Sequence, residues 1–203
     1  MAYKVPTKTV VIEELIKKSR FITLMAHTPG IDAAKAFWQH CKTQYPDARH
    51  WCFAAVAGEP GDGQQYAMSD DGEPAGTAGK PMLAQLLGSG IGEVAVVVVR
   101  YFGGVKLGTG GLVKAYGGGV SAALKQLTTQ EVVAFKAFQL TLEYSAQNDV
   151  LYQIKQHQGI VVDEHFDHRV KMQVNIPVTA SAAFTRWLAV RDDVSCQQEE
   201  QGK

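Results

Sequence analysis

The first third of the chain consists of short apolar segments separated by glycine and proline. Residues 8–27 alternate between β-branched and charged residues, which predicts two strands joined near residues 17–20. Residues 31–45 have apolar residues at helical spacing, and Asp32 is expected to cap that helix. Residues 49–58 then predict a strand that is buried on both faces.

The longest apolar run leads directly into a glycine-rich segment. Residues 94–119 read VAVVVVRYFGGVKLGTGGLVKAYGGG, which predicts a buried strand, a turn and a helix from residue 109 or 110 to about Thr128. Three glycines at 117–119 would each cost roughly 0.8 to 1 kcal/mol relative to alanine in a helix interior. Close packing is therefore expected around them.

The distribution of glycine predicts two domains. Seventeen of the 20 glycines lie in residues 58–119, and only two lie beyond that segment. A boundary near Val133 explains this change, so we expect one domain over residues 1–133 and a second over residues 134–203.

The second domain has the pattern of a ferredoxin-like fold. Its apolar periodicity predicts strand, helix, strand, strand and helix, in the order of a βαββαβ unit. The final strand is marginal at residues 194–197, and the end of the chain, QQEEQGK, is expected to be frayed. The predicted elements are strand 137–144, helix 148–158, strand 160–166, strand 169–177 and helix 180–190.

Composition restricts the class of protein. Hydrophobic residues make up 46% and charged residues 20% of the chain, as in a globular protein, and the formal net charge is zero. Global charge therefore argues against a protein that coats nucleic acid or membrane, and any such contact must come from a local patch. Widely spaced cysteines without a CxxC pair, no membrane-spanning apolar run and no signal-peptide pattern indicate a cytoplasmic protein without a membrane partner.

Residues 58–80 are the most acidic segment, with five acids and one base, and they predict a long loop. Thr77 is expected to cap the helix that follows. Three interpretations stay open for Asp70, Asp71 and Glu73. They could ligate Mg²⁺ or form an acid–base pair, they could belong to a solvated turn, or the loop could fold against the basic segment and neutralise part of its charge.

The glycine-rich segment does not match the known nucleotide-binding motifs. Gly103 and Gly108 have Walker spacing, but Thr109 stands where the motif needs lysine. Gly108 and Gly110 begin a GxGxxG pattern that fails at Val113. Neither motif therefore predicts a nucleotide site.

The charge of this segment still predicts an anion-binding surface. From residue 94 to 130 the chain has four bases and no acid, and a helix N-terminus would add to the positive field. An RNA phosphate backbone is the natural ligand, with Tyr101 and Phe102 placed to stack if exposed. A glycine turn required only by strand-to-helix geometry is the alternative. The residues expected to bind the anion are Arg100, Tyr101, Gly103, Gly104, Lys106, Gly108, Thr109, Gly110, Gly111 and Lys114.

No side chain has a convincing catalytic setting. His165 and His168 lie across a predicted hairpin connection, where solvent exposure is more common than metal binding. Ser121 lies in GVSAA rather than GxSxG, and Cys52 lies in an apolar strand where a thiol would be inert. We therefore predict no catalytic residue, metal or cofactor.

Two segments resemble the signature of a known family. SDDGEPAGTAGKP followed by VVVRYFGGVKLGTGGLVKAYG resembles the IMPACT family in its bacterial form, as do KKSRFI near Arg20 and the strand from His50 to Phe53. The resemblance implies an α+β protein with a two-layer βαβ domain, similar to domain two of ribosomal-protein and RNase PH-type folds, and a ferredoxin-like domain similar to those of elongation factor G. The matched positions of the acidic loop are Asp70, Asp71, Gly72, Glu73, Gly76 and Thr77.

The resemblance also bears on function. Eukaryotic members are regulators that bind a ribosome-associated activator and thereby restrain a kinase that phosphorylates an initiation factor. Because no RWD-type domain stands before the signature in this sequence, that partner is not carried over.

We expect a monomeric, non-enzymatic cytoplasmic protein that binds RNA or a ribosome-associated protein and regulates translation. One alternative is a metal-dependent phosphoester or nucleotide enzyme that uses Asp70, Asp71 and Glu73. The other is a protein-interaction regulator without nucleic-acid contact.

Overall fold

A computed structural model describes residues 2–197, which divide into two compact units. One unit comprises Tyr3–Val132, and the other begins at Val133 and also takes in Ala2. The elements up to the division are β1 (Ala2–Pro6), β2 (Val10–Ile16), β3 (Ser19–His27), α1 (Ile31–Gln44), β4 (His50–Val56), a 3₁₀ turn (Gly63–Gln65), β5 (Tyr66–Ser69), α2 (Gly79–Ser89), β6 (Val94–Tyr101), α3 (Thr109–Gln126) and β7 (Thr129–Val133).

The first unit is built around a five-stranded sheet with the order β2-β3-β6-β4-β5. Every neighbouring pair is antiparallel, and β6 lies in the centre, with Val97 opposite Leu24 of β3 and Phe53 of β4. All residues of β6 from Val94 to Arg100 are buried. The valine run is therefore a central strand covered on both faces, as its sequence predicts. Strands β1 and β7 pair in a separate two-stranded sheet.

The predicted α+β class with two domains is confirmed, but helices cover both faces of the first sheet. Side chains of α2 and α3 pack with Val96 and Val98 on one face. Residues of α1, among them Trp38, pack with Val97 and Val99 on the other. The unit has three layers rather than the expected two, because successive residues of an apolar strand point to opposite faces and both faces need cover.

The second unit has the ferredoxin-like topology that the sequence predicts. Its four-stranded sheet has the order β11-β8-β10-β9, and all neighbours are antiparallel. The marginal last strand is present and pairs with β8, with Val194 opposite Leu142. The elements are β8 (Phe135–Leu142), a 3₁₀ turn (Tyr144–Ala146), α4 (Gln147–Gln156), β9 (Ile160–Phe166), β10 (Val170–Pro177), α5 (Val178–Leu188) and β11 (Val194–Gln197).

The expectation of a frayed chain end concerns residues 198–203, which lie outside the described residues. Within residues 2–197, no helix is long and apolar enough to cross a lipid bilayer.

Three local predictions in the first unit are wrong. The N-cap of α1 is Gly30, and Asp32 makes no cap hydrogen bond. Thr77 does not cap α2, because its hydroxyl donates to the Pro74 carbonyl instead. The acidic segment is not one long loop, since β5 adds an edge strand to β4. The Thr77 hydroxyl is taken by a carbonyl three residues earlier, and β5 becomes a strand only by pairing with the distant β4.

Two glycines allow close backbone packing. A Cβ at Gly103 would overlap the carbonyl of Lys18 in the β2–β3 turn, so this position requires glycine. A Cβ at Gly119, inside α3, would lie 2.5 Å from Oγ1 of the buried Thr23 on β3. The neighbouring Gly118 is exposed, and a Cβ there would meet nothing within 4 Å.

We expect Gly118→Ala and Gly119→Ala to change stability in opposite directions. Gly118→Ala should raise the free energy of unfolding by about 0.5–1 kcal/mol, because alanine loses less backbone entropy in a helix. Gly119→Ala should lower it by about 1–3 kcal/mol, because the new methyl group presses on Thr23. Urea unfolding monitored by circular dichroism measures both. Equal stability of the two variants would contradict the close helix–sheet packing.

Candidate anion-binding cleft

Asp70 organises the start of helix α2 from a position that precedes the helix by nine residues. Its Oδ1 accepts the backbone N–H groups of Ala78 (2.9 Å) and Gly79 (2.8 Å), and its Oδ2 accepts that of Gly76 (2.8 Å). Burial by itself would raise the pKa of Asp70, but the three backbone donors outweigh burial and hold the pKa below its usual range. The carboxylate is therefore a structural cap.

Asp71 attaches the acidic loop to β4 and α1. Its Oδ2 accepts the backbone N–H of Trp51 (2.8 Å), and its Oδ1 accepts from the Lys42 ammonium (3.0 Å). The Asp71 carbonyl accepts from His50 Nδ1 at 2.8 Å. Asp71 and Gly72 both have positive φ, 44° and 87°, so the chain turns sharply here and brings the next acid over the sheet.

Glu73 forms a buried ion pair with Arg100, the residue that follows the valine run. Glu73 Oε1 lies 2.6 Å from Arg100 Nη1, and the two side chains are only 3% and 6% exposed. The same oxygen accepts the Tyr116 hydroxyl of α3 at 2.7 Å. The Arg100 guanidinium also lies 5.4 Å from the Phe21 ring and 5.6 Å from the Phe102 ring. One carboxylate thus connects the loop, the central strand and α3.

These contacts favour one of the three interpretations of the acidic loop. Asp70, Asp71 and Glu73 all accept hydrogen bonds from protein donors, and among residues 2–197 no group of three or more His, Cys, Asp or Glu side chains could hold a metal ion. The loop instead folds against the basic segment, and Glu73 neutralises Arg100. Burial raises the pKa of the nearby Cys52 thiol to about 12, in keeping with the expected inert thiol.

The surface next to this ion pair forms a cleft of about 450 Å³. Four of the predicted anion-binding residues line it, and one end of β4 and the acidic loop complete it. The lining residues are Arg49, His50, Glu73, Pro74, Arg100, Phe102, Lys106, Leu107, Gly108, Thr109 and Leu112.

The other predicted residues lie outside the cleft lining. Tyr101 is half-buried and packs with the α1 side of the sheet, 5.5 Å from the Arg20 guanidinium. Gly103 lies against the β2–β3 turn, and Gly104 is an exposed residue with positive φ. Lys114 is exposed on α3. Gly110 and Gly111 belong to the first turn of α3, directly after the lining residues Gly108 and Thr109.

Two basic residues of the cleft, Arg49 and His50, do not follow from the basic segment of the sequence. His50 is the first residue of β4 and Arg49 directly precedes it, and antiparallel pairing places His50 opposite Arg100. Arg49 is exposed. Sequence reasoning missed them because the pairing of β4 with β6 is a long-range contact, and the resemblance of the strand after His50 to the family signature was the only available sign.

The start of α3 supplies backbone donors at the cleft. Gly108 is the N-cap, no side chain caps the helix, and the first helical hydrogen bond runs from the Leu112 N–H to the Gly108 carbonyl at 2.9 Å. The first turn contains no acid. Free N–H groups and the helix dipole therefore favour a negative ligand here.

Arg100 contributes a further unused donor. It is 5% exposed and lines the cleft, and its Nε is buried without a hydrogen-bond partner among the described residues. A buried polar group without a partner is costly, so an acceptor placed beside Nε would be stabilising.

Comparison with known proteins shows the family. The Impact N-terminal domain matches residues 17–124, and a domain of unknown function, DUF1949, matches residues 140–190. The chain is 52% identical over 188 residues to the IMPACT family member YigZ of Escherichia coli (strain K12), with 93% of this chain and 92% of that protein covered. It is 35% identical over 176 residues to the IMPACT family member YvyE of Bacillus subtilis (strain 168), with 87% and 80% covered.

A solved structure supports the fold. A crystal structure described as that of a hypothetical protein is 49% identical, has a TM-score of 0.73, and covers 99% of this chain and 98% of that one. The fold and the matched regions define a two-domain α+β protein with an Impact N-terminal domain followed by DUF1949. The chain belongs to the IMPACT family, as its signature segments predict.

Asp70→Asn should destabilise the protein at neutral pH by about 0.5–2 kcal/mol, the usual effect of losing a helix cap. Because the folded pKa of Asp70 is depressed, its contribution is present above the ordinary aspartate value of 3.8 and is lost as the pH falls through the folded value. The difference between wild type and variant should therefore shrink on acidification below about pH 4. Chemical unfolding at several pH values measures this difference.

Asp62→Asn is the matched control for Asp70→Asn. Asp62 accepts one backbone N–H, from Gln64, at Oδ1, and asparagine keeps that oxygen. Asp62→Asn should therefore leave the free energy of unfolding almost unchanged. A pH-independent loss in Asp70→Asn would contradict a role for the charged carboxylate.

Glu73→Gln should lower the free energy of unfolding by about 3–5 kcal/mol, because Arg100 would stay buried without a countercharge. Tyr116→Phe removes only one hydrogen bond to the same carboxylate and should lower the free energy of unfolding by at most about 3 kcal/mol. Replacing both charges, in Glu73→Gln with Arg100→Met, should restore part of the loss. Thermal and urea unfolding measure the three variants, and an equal effect of the first two would argue against the ion pair.

Proposed function

We propose that this protein is a non-enzymatic cytoplasmic binding protein that regulates translation by binding RNA through the cleft described above. The observation that carries this proposal is the excess of donors at the cleft. Arg49, His50 and Lys106 line it beside the open N-terminus of α3, and Glu73, the one acid among the lining residues in the described part of the chain, already pairs with Arg100. Such a surface binds anions although the whole chain has no net charge.

Side chains at the cleft also fit the bases of single-stranded RNA. Phe102 is 41% exposed and lines the cleft with Pro74 and Leu107. An exposed aromatic ring beside cations is the usual arrangement for stacking a base while its phosphate is neutralised. The link of the IMPACT family to translation supports an RNA of the translation apparatus as the partner.

The proposal predicts salt-dependent binding of a short single-stranded RNA. The affinity should fall with salt, with a slope of log K against log salt of about −0.7 per phosphate contacted. Lys106→Ala should weaken binding and reduce the slope by about one contact. Fluorescence anisotropy at several salt concentrations measures both quantities.

Lys125→Ala is the matched control, because Lys125 is an exposed lysine in the last turn of the same helix, away from the cleft lining. Its affinity should equal that of the wild type. RNA binding that is absent, or that does not respond to salt, would refute the proposal. Recovery of a protein partner that survives RNase treatment would then favour the regulator without nucleic-acid contact.

A further inference from the structure

We propose that the cleft receives a single terminal phosphate monoester on a nucleoside, such as the 5′ end of an RNA, rather than a continuous phosphodiester backbone. This inference rests on the proposed function and specifies the ligand of the same site. Three features of the cleft support it. The N-terminus of α3 has no side-chain cap, Nε of Arg100 has no partner among the described residues, and one wall of the cleft is basic whereas the other is apolar.

The helix start can be reached by a compact anion. Gly108, Thr109 and Gly110 are exposed, and a Cβ at Gly108 or Gly110 would meet nothing within 4 Å. The N–H groups at the first positions of a helix have no acceptor within the helix. Because these donors project from one turn, they converge on one group, which favours a single phosphate over a chain of phosphates.

Arg100 gives an observation that is independent of the helix. The Glu73 carboxylate uses Nη1, and Ser19 Oγ lies 3.5 Å from Nη2, but Nε has no partner among the described residues. The Phe21 and Phe102 rings restrict where the guanidinium can lie. Arg100 lines the cleft, so a phosphoryl oxygen there would lie beside its guanidinium, and arginine is well suited to phosphate.

The charge of the cleft matches a monoester better than a diester. A monoester carries about −1.5 to −2 at neutral pH, whereas each backbone phosphate carries −1. Glu73 balances Arg100, which leaves Lys106 and Arg49 together with the positive end of α3 for the ligand. The positive charge of two cations and a helix dipole therefore balances the negative charge of one doubly charged phosphate group.

The remaining wall of the cleft is apolar. Phe102, Leu107, Leu112 and Pro74 line it, so the basic side continues into a surface suited to the ring of one base. A volume of about 450 Å³ lies within the range of pockets that enclose one small molecule. The phosphate and the first base of an RNA end would thus occupy the same cleft.

The test compares one RNA oligonucleotide carrying either a 5′-phosphate or a 5′-hydroxyl, with AMP and adenosine as competitors. We expect the phosphorylated end to bind about tenfold more tightly, the effect of one strong charge-assisted contact. Lys106→Ala and Arg49→Ala should remove this preference, and Lys125→Ala should retain it. Competition by AMP but not adenosine would also support the monoester site, and the concentration needed would show whether the source is a free nucleotide or an RNA end.

The outcomes separate this inference from the proposed function. Equal affinity for both ends, with salt-dependent RNA binding that Lys106→Ala weakens, would overturn the monoester site and leave RNA binding intact. Binding of AMP without binding of either RNA would support the monoester site and refute RNA as the ligand. Failure to bind either RNA or AMP would overturn both.

Discussion

The buried ion pair between Arg100 and Glu73 is the interaction on which the first domain depends. Each charge would be expensive to bury alone, so neither can be placed without the other. Arg100 lies near the end of the central strand, Glu73 lies in the acidic loop, and Tyr116 extends the pair to α3. The loop can leave the sheet only by leaving a buried charge unpaired, so its position is set by electrostatics as much as by apolar burial.

This ion pair separates the structural part of the family's signature segments, the acidic loop, from the glycine-rich part that we propose binds a ligand. The acids of the loop accept hydrogen bonds from backbone N–H groups and from Lys42, Arg100 and Tyr116, and Glu73 is the one of them that lines the cleft. The first turn of α3, close to Lys106, contains no acid, so the donors there are available to the ligand that we propose. A chain with no net charge thereby presents a locally positive site.

Elements that are marked by a periodic pattern of apolar residues within one segment could be predicted from the sequence. The valine run is the central strand, the glycine-rich turn leads into α3, and the second domain has the ferredoxin-like order. The short strand β5 could not be predicted, because four residues acquire their strand character only by pairing with β4. The third layer was missed for a similar reason, since the sequence shows that α1 has an apolar side but not which face of the sheet it covers.

The candidate site could be predicted only in part, because some of its residues are neighbours in sequence and others meet through long-range contacts. The sequence predicts a strand, a glycine turn and a helix start with local positive charge, because these features depend on residues a few positions apart. The neutralisation of Arg100 by Glu73 and the presence of Arg49 and His50 in the cleft are visible only in the folded structure. Those contacts depend on the register of β4 against β6 and on the path of the acidic loop, which are fixed by packing between residues distant in sequence.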